Sequence, residues 1–176
     1  TAAWNVAAAA SSALNTAMWT GSTRAAATAS CSSSVDAMDN TEFFLAHAIQ
    51  LEFEAARRYE DLRAAMQTAG NMEAEQFFMR MAEYSRRHLQ DALRRGGFRE
   101  IPKLDASEWQ WPEGVSPEQA AWVGVDAFID EARAYQLALD AEERSQLFYA
   151  AIVAQTTDHE VRRMAREFAE EEAEHV

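Results

Sequence analysis

Glu172 and His175 stand three residues apart in the segment FAEEEAEHV, a spacing that puts a carboxylate and an imidazole on one face of a helix. That face is otherwise apolar, and neither group belongs there unless something binds it. Carboxylate oxygen with imidazole nitrogen is a donor set for iron, manganese or zinc. Three further segments carry polar donors midway along their own apolar stripes. At alternating spacings of three and four, which follow the helical turn, the first stripe is Leu45, Ile49, Glu52, Ala56, Tyr59, Arg63 and Met66, and the second is Phe78, Met81, Ser85, His88 and Ala92. The third is Phe128, Ala132, Tyr135, Leu139, Glu142, Gln146, Tyr149 and Val153, and the fourth is Val161, Ala165, Phe168, Glu172 and His175. A carboxylate removed from water without a partner costs several kcal/mol, and facing glutamates repel one another; a cation between them removes both penalties.

The elements that must position these donors are helical. Asn40 or Thr41 caps a helix running to about Gly70, and a second covers Met72 to Arg95 before Gly96 and Gly97 stop it. The stretch GFREIPKLDASEWQWPEGV has Pro, Gly and aromatic residues without helical period and reads as a crossover. Ser116, Pro117 and Gln119 form a helix start, so a third helix is expected from there, covering Asp126 to Gln155. Thr157, with Glu160 three residues on, caps a fourth helix from Asp158 to the end. Two αα-hairpins joined by a long crossover make an all-α four-helix bundle over residues 37–176. The halves echo each other: Tyr59 follows Glu52 by seven positions, as Tyr149 follows Glu142, and the second helix of each hairpin ends its stripe in a histidine, His88 or His175.

Composition narrows the function. A formal charge of -13 argues against a nucleic-acid partner, which needs clustered Lys and Arg, and helps draw in cations. The single cysteine, Cys31, excludes an intrachain disulfide and a four-thiolate centre, and with no apolar run of membrane length from Met38 onward a cytoplasmic location is expected. Residues 1–36 are a separate low-complexity segment, and 24 of the first 34 are Ala, Ser or Thr. Met38 would serve as a natural start, while Val176 directly after His175 means that the fourth helix either ends at the site or belongs to a chain that continues. His47 and His159 read as structural or exposed, and Arg57 and Arg58 as surface ion-pair partners of Glu54 and Asp61. Trp109, Trp111 and Trp122 read as packing residues or a dimer contact. Glu54, Glu143 and Glu171 are the neighbours that a one-residue slip of register would turn inward.

The segments LEFEAARRYEDL, AEYSRRHLQDAL, LDAEERSQLFYAAI and FAEEEAEHV resemble the ferritin-like superfamily, the rubrerythrin-like branch most closely, across Thr41 to Val176. The resemblance implies a ferritin-like bundle that holds metal with Glu52, His88, Glu142, Glu172 and His175, while Tyr59 and Tyr149 steady carboxylates. It departs from the pattern at Ser85, three residues before His88, where the family carries a bridging glutamate, and it lacks the four-cysteine iron domain of full-length rubrerythrins. Two iron ions with water replacing the missing carboxylate, one metal on the Glu142 side, or a degenerate site are all open, and zinc or manganese are substitutes. The implied function is a non-haem di-iron oxidoreductase that reacts iron with peroxide or dioxygen, is served by an external electron donor and forms a homodimer. The alternative is a helical interaction module whose site holds one metal or none.

Overall fold

The computed structural model describes residues 38–122 and 129–175, apart from the side chains of Glu113 and His175. The low-complexity segment and the stripe residue Phe128 lie outside the described residues. Among the described residues there are five α-helices and no strand: α1 (Thr41–Thr68), α2 (Met72–Gly96), α3 (Pro117–Ala121), α4 (Glu131–Gln155) and α5 (His159–His175). No helix among them is long and apolar enough to cross a membrane.

Local chemistry sets the helix ends. The Asn40 side chain accepts from the Phe43 amide at the start of α1, and the Asn71 side chain accepts from the Ala74 amide at the start of α2. Gly70 (φ 74°) and Gly97 (φ 68°) take the left-handed conformation that ends helices, so α1 and α2 are joined by three residues. Replacing Asn71 with Ala removes one such cap and is expected to cost about 1 kcal/mol, read from the urea midpoint at unchanged slope.

α1 packs along α2 and α4 along α5, giving two hairpins, while the short α3 lies against α4 and α1. The start of α1 is tied to the α4–α5 turn through Asp39. Its carboxylate accepts from the Thr156 hydroxyl at 2.7 Å, the Thr157 amide at 2.7 Å and the Thr157 hydroxyl at 2.8 Å. Those bonds, the Thr156 hydroxyl foremost, hold the Asp39 carboxyl down at about 2.

The core forms two apolar layers. One gathers Tyr59, Leu62, Met66, Phe77, Phe78, Met81 and Tyr135, and the other Phe44, Leu45, Ile49, Phe148, Tyr149, Ile152, Met164 and Phe168. Between them, around Glu52 and Glu142, buried polar side chains replace the apolar ones. The donors singled out above occupy this level.

Three expectations about the elements are corrected. The start at Ser116 is real, since its hydroxyl caps Gln119, but the helix it opens is the five-residue α3; α4 begins at Glu131 behind a new cap, Asp130, whose side chain accepts from Arg133. Ala132 is therefore exposed in the first turn of α4 rather than on its inner stripe. α5 is capped by Asp158, which accepts from the Val161 amide at 2.9 Å, whereas the Thr157 hydroxyl is given to Asp39. Arg58 does pair with Asp61, at 3.7 Å, but Glu54 pairs with no arginine: it accepts from Gln50, Ser116 and Gln119.

Candidate metal centre

The polar level is built one helix at a time. Glu52 lies on α1 one turn below the buried Leu45–Ile49 segment and is 4% exposed; Glu142 on α4 is likewise 4% exposed, whereas its neighbour Glu143 is exposed. α2 contributes Ser85, buried, and His88, half-buried. α5 contributes Glu172, half-buried as a residue but with its carboxyl end turned into the interior. α3, from the crossover, contributes Glu118, 3% exposed. Glu52, Ser85, His88, Glu118, Glu142, Ser145 and Glu172 line one cavity of ≈ 10 Å³, about the room of a single water molecule. His175 ends α5, and its side chain lies outside the described residues.

A hydrogen bond crosses between the hairpins at this level, and two further contacts tie neighbouring elements together. The Tyr59 hydroxyl on α1 donates to Glu142 Oε1 on α4. His88 Nδ1 stands 3.6 Å from Glu52 Oε1, joining α2 to α1. The Ser145 hydroxyl, one turn after Glu142, donates to Glu118 Oε1 at 3.2 Å. The Tyr149 hydroxyl is fully buried and has no hydrogen-bond partner among the described residues; burial first, then the charges of Glu52 and Glu172, push it well above its ordinary range.

The electrostatics follow from crowding acids where water is thin. Burial first, and the nearby Glu142 second, push the carboxyls of Glu118 and Glu172 well above the usual carboxylate range. The same two causes, in the same order, push the Tyr59 hydroxyl up. The Glu52 hydrogen bond outweighs burial at His88 and raises its imidazole to about 9. No Lys or Arg lines the cavity, so His88 is its cationic side chain. Among the described residues no three His, Cys, Asp or Glu side chains form a group already arranged to hold a metal ion. The donors therefore face one cavity without making a finished coordination sphere.

A crystal structure of an uncharacterized conserved protein from Magnetospirillum magnetotacticum, described as COG1633, matches this chain with a TM-score of 0.58 and 35% sequence identity, over 74% of this chain and 85% of that one. The chain belongs to the COG1633 family. No family model matches it, and no curated protein does. In this COG1633 protein the described donors come from both hairpins and also from the crossover.

Glu118 and Ser145 were not among the residues singled out from sequence. Glu118 sits in the first turn of a capped helix, where an acidic residue is favoured by the helix dipole and is ordinarily exposed, so nothing local marks it as inward. Ser145 had a weak signal, since it stands three residues after Glu142 on the same face.

Tertiary contacts also explain what holds the crossover. His47, fully buried on α1, accepts the Gln110 amide at Nε2 (2.9 Å) while its Nδ1 donates to the Phe43 carbonyl (2.9 Å). Trp109 and Trp111 stack on each other and both set edges against the His47 ring. About two turns further along α1, Glu54 binds Ser116 and Gln119 at the start of α3. These two anchors fix the strand of chain that carries Glu118.

Proposed function

We propose that this protein is a rubrerythrin-like, non-haem di-iron carboxylate oxidoreductase acting on peroxide or dioxygen. The observation that carries this reading is the concentration of four buried or half-buried glutamates and a histidine, drawn from five helices, around one small cavity whose lining, among the described residues, holds no lysine or arginine. So many carboxylates at one depth are costly on their own and are stabilised together by a multivalent cation. The Tyr149 hydroxyl fits as well, being a buried donor without an acceptor among the described residues.

Glu52, His88, Glu142 and Glu172, with His175, would hold the metal, with two iron ions expected and zinc or manganese able to substitute. Bound iron supplies the electrons that reduce the oxygen substrate. The residues do the rest. Tyr59 fixes the orientation of Glu142 by donating to its Oε1, so that this carboxylate cannot swing freely. Tyr149 holds a proton at Oη beside Glu52, ready for an oxygen atom that comes within reach. The aromatic and aliphatic layers above and below keep bulk water from the site. The single cysteine of these 176 residues cannot form a four-thiolate electron carrier, and reducing equivalents would come from an external donor. The test is anaerobic loading with ferrous iron followed by peroxide. A ferric absorption rising in the near ultraviolet within the mixing time is expected, and a flat trace would end the proposal.

Loading should also release protons. His88, raised to about 9, and the carboxyls of Glu118 and Glu172, raised by burial and by Glu142, carry protons that a cation must displace. Uptake near pH 7 should therefore liberate at least about one proton per chain, from His88, and affinity should rise as the pH rises. Titration in weak buffer with an indicator dye measures both, and uptake without acidification would count against these donors.

Ser85 favours a second reading, in which the site holds one structural ion or none and the bundle works through association. Elemental analysis of protein purified without added metal separates the two, since two irons per chain are incompatible with it.

A further inference from the structure

The geometry points to Glu118 as a metal ligand delivered by the crossover, taking the place of the carboxylate that the helical stripe lacks at Ser85. This rests on the di-iron reading above and extends it to a residue outside the four long helices.

Four observations lead there. Glu118 is 3% exposed, yet no Lys or Arg lines the cavity it enters, and its hydrogen-bond partner is the neutral hydroxyl of Ser145 at 3.2 Å. A carboxylate kept under those conditions needs a cation more than it needs a hydroxyl. Ser85 and Ser145 line the same cavity, each three residues from a proposed ligand, His88 or Glu142. Both side chains are small, and Glu118 reaches the one on the α4 wall from α3. The segment bearing Glu118 is held at two points by α1, at Gln110 by His47 and at Ser116 and Gln119 by Glu54. Two anchors, both at least partly shielded from water at His47 and Ser116, hold this carboxylate in position, as a ligand requires. Finally, the buried Tyr149 hydroxyl, on the same helix as Glu142 and Ser145, has no hydrogen-bond partner among the described residues, so a further polar group belongs near this level.

The consequence is that metal and crossover are coupled. With Glu118 bound to the ion, the segment from Gln110 to Trp122 is fastened to the bundle at a third point. Its backbone amides should exchange more slowly in the loaded protein.

The experiment compares wild type with Glu118→Gln, both stripped, reloaded anaerobically with ferrous iron, desalted and counted by mass spectrometry of the elements, with cobalt titrations read from the visible absorption. The variant is expected to hold one ion fewer per chain than wild type, or to lose at least about tenfold in cobalt affinity. Metal should slow exchange of the crossover amides in wild type and not in the variant. Stripped Glu118→Gln should melt at or above the stripped wild type, because a buried acid has been made neutral, and this excludes misfolding as the cause of lost metal. A variant that keeps the wild-type count, affinity and exchange protection overturns the assignment of Glu118 while leaving the di-iron reading intact. A wild type that takes up no metal overturns both.

Discussion

Glu142→Gln is expected to abolish metal retention and, with it, any reaction of the loaded protein with peroxide. Glu142 is where the contacts of the polar level meet. It accepts the Tyr59 hydroxyl from the other hairpin, and its charge is among the leading influences on Glu118, Glu172 and Tyr59. An amide keeps the shape and can still accept from Tyr59, but it offers a neutral oxygen in place of an anionic one. Loss of such a ligand should lower affinity by well over the 10- to 100-fold typical of residues that merely support ligands. The same substitution should stabilise the stripped protein by about 1–2 kcal/mol, because it relieves repulsion among buried acids. The opposite signs are the distinguishing feature: a residue of purely structural value would lose stability and leave ion binding alone. Metal counts and urea melts on the same preparation check both, and an unchanged ion count would refute the central role given to Glu142.

The second large effect is at His47. Burial drives its imidazole down to about 4, the hydrogen bond to Phe43 opposing only part of that shift. The reason is visible in the contacts: Nε2 must stay unprotonated to accept the Gln110 amide, and the ring lies among Phe43, Trp109, Trp111 and Phe148. With the folded value below the ordinary 6.5, the unfolded chain binds more protons between pH 6.5 and 4. This contribution is therefore complete above pH 6.5 and lost as the pH falls toward 4, amounting to about 3 kcal/mol across that window. Asp39, held near 2, enters only at lower pH, and the raised carboxyls of Glu118 and Glu172 act in the opposite direction. The measurement is thus a difference. Urea stability of wild type minus that of His47→Gln should shrink by about 3 kcal/mol from pH 7 to pH 4. His47→Ala at pH 7 should cost about 3–4 kcal/mol, from two lost hydrogen bonds and an unfilled aromatic cage. A pH-independent difference would mean that His47 titrates normally.

His47 also shows how structure converts an ambiguous residue into a definite one. From sequence it read as structural or exposed; its partners, Gln110 and the two tryptophans, are about sixty positions away, and no local pattern announces them. The same is true of Glu54, whose spacing from His47 and Leu51 makes the three a second stripe along α1. That stripe exists, and it grips the crossover.

What the chain's order of residues determined is whatever repeats along a single helix. Periods of three and four put Glu52, Glu142 and Glu172 on the inner sides of their helices, glycines and Asn caps set the ends of α1 and α2, and two hairpins followed from the short turns between them. Such features depend on neighbours within a turn or two, and the alphabet of a helix is short-ranged. What only the tertiary structure decided is what the crossover does. It broke the expected third helix into α3 and α4, carried Glu118 into the polar level and paired it with Ser145. Its path is set by buried groups on α1 far away in sequence, and a glutamate in a capped first turn looks the same in the chain whether the fold turns it toward water or toward three other acids.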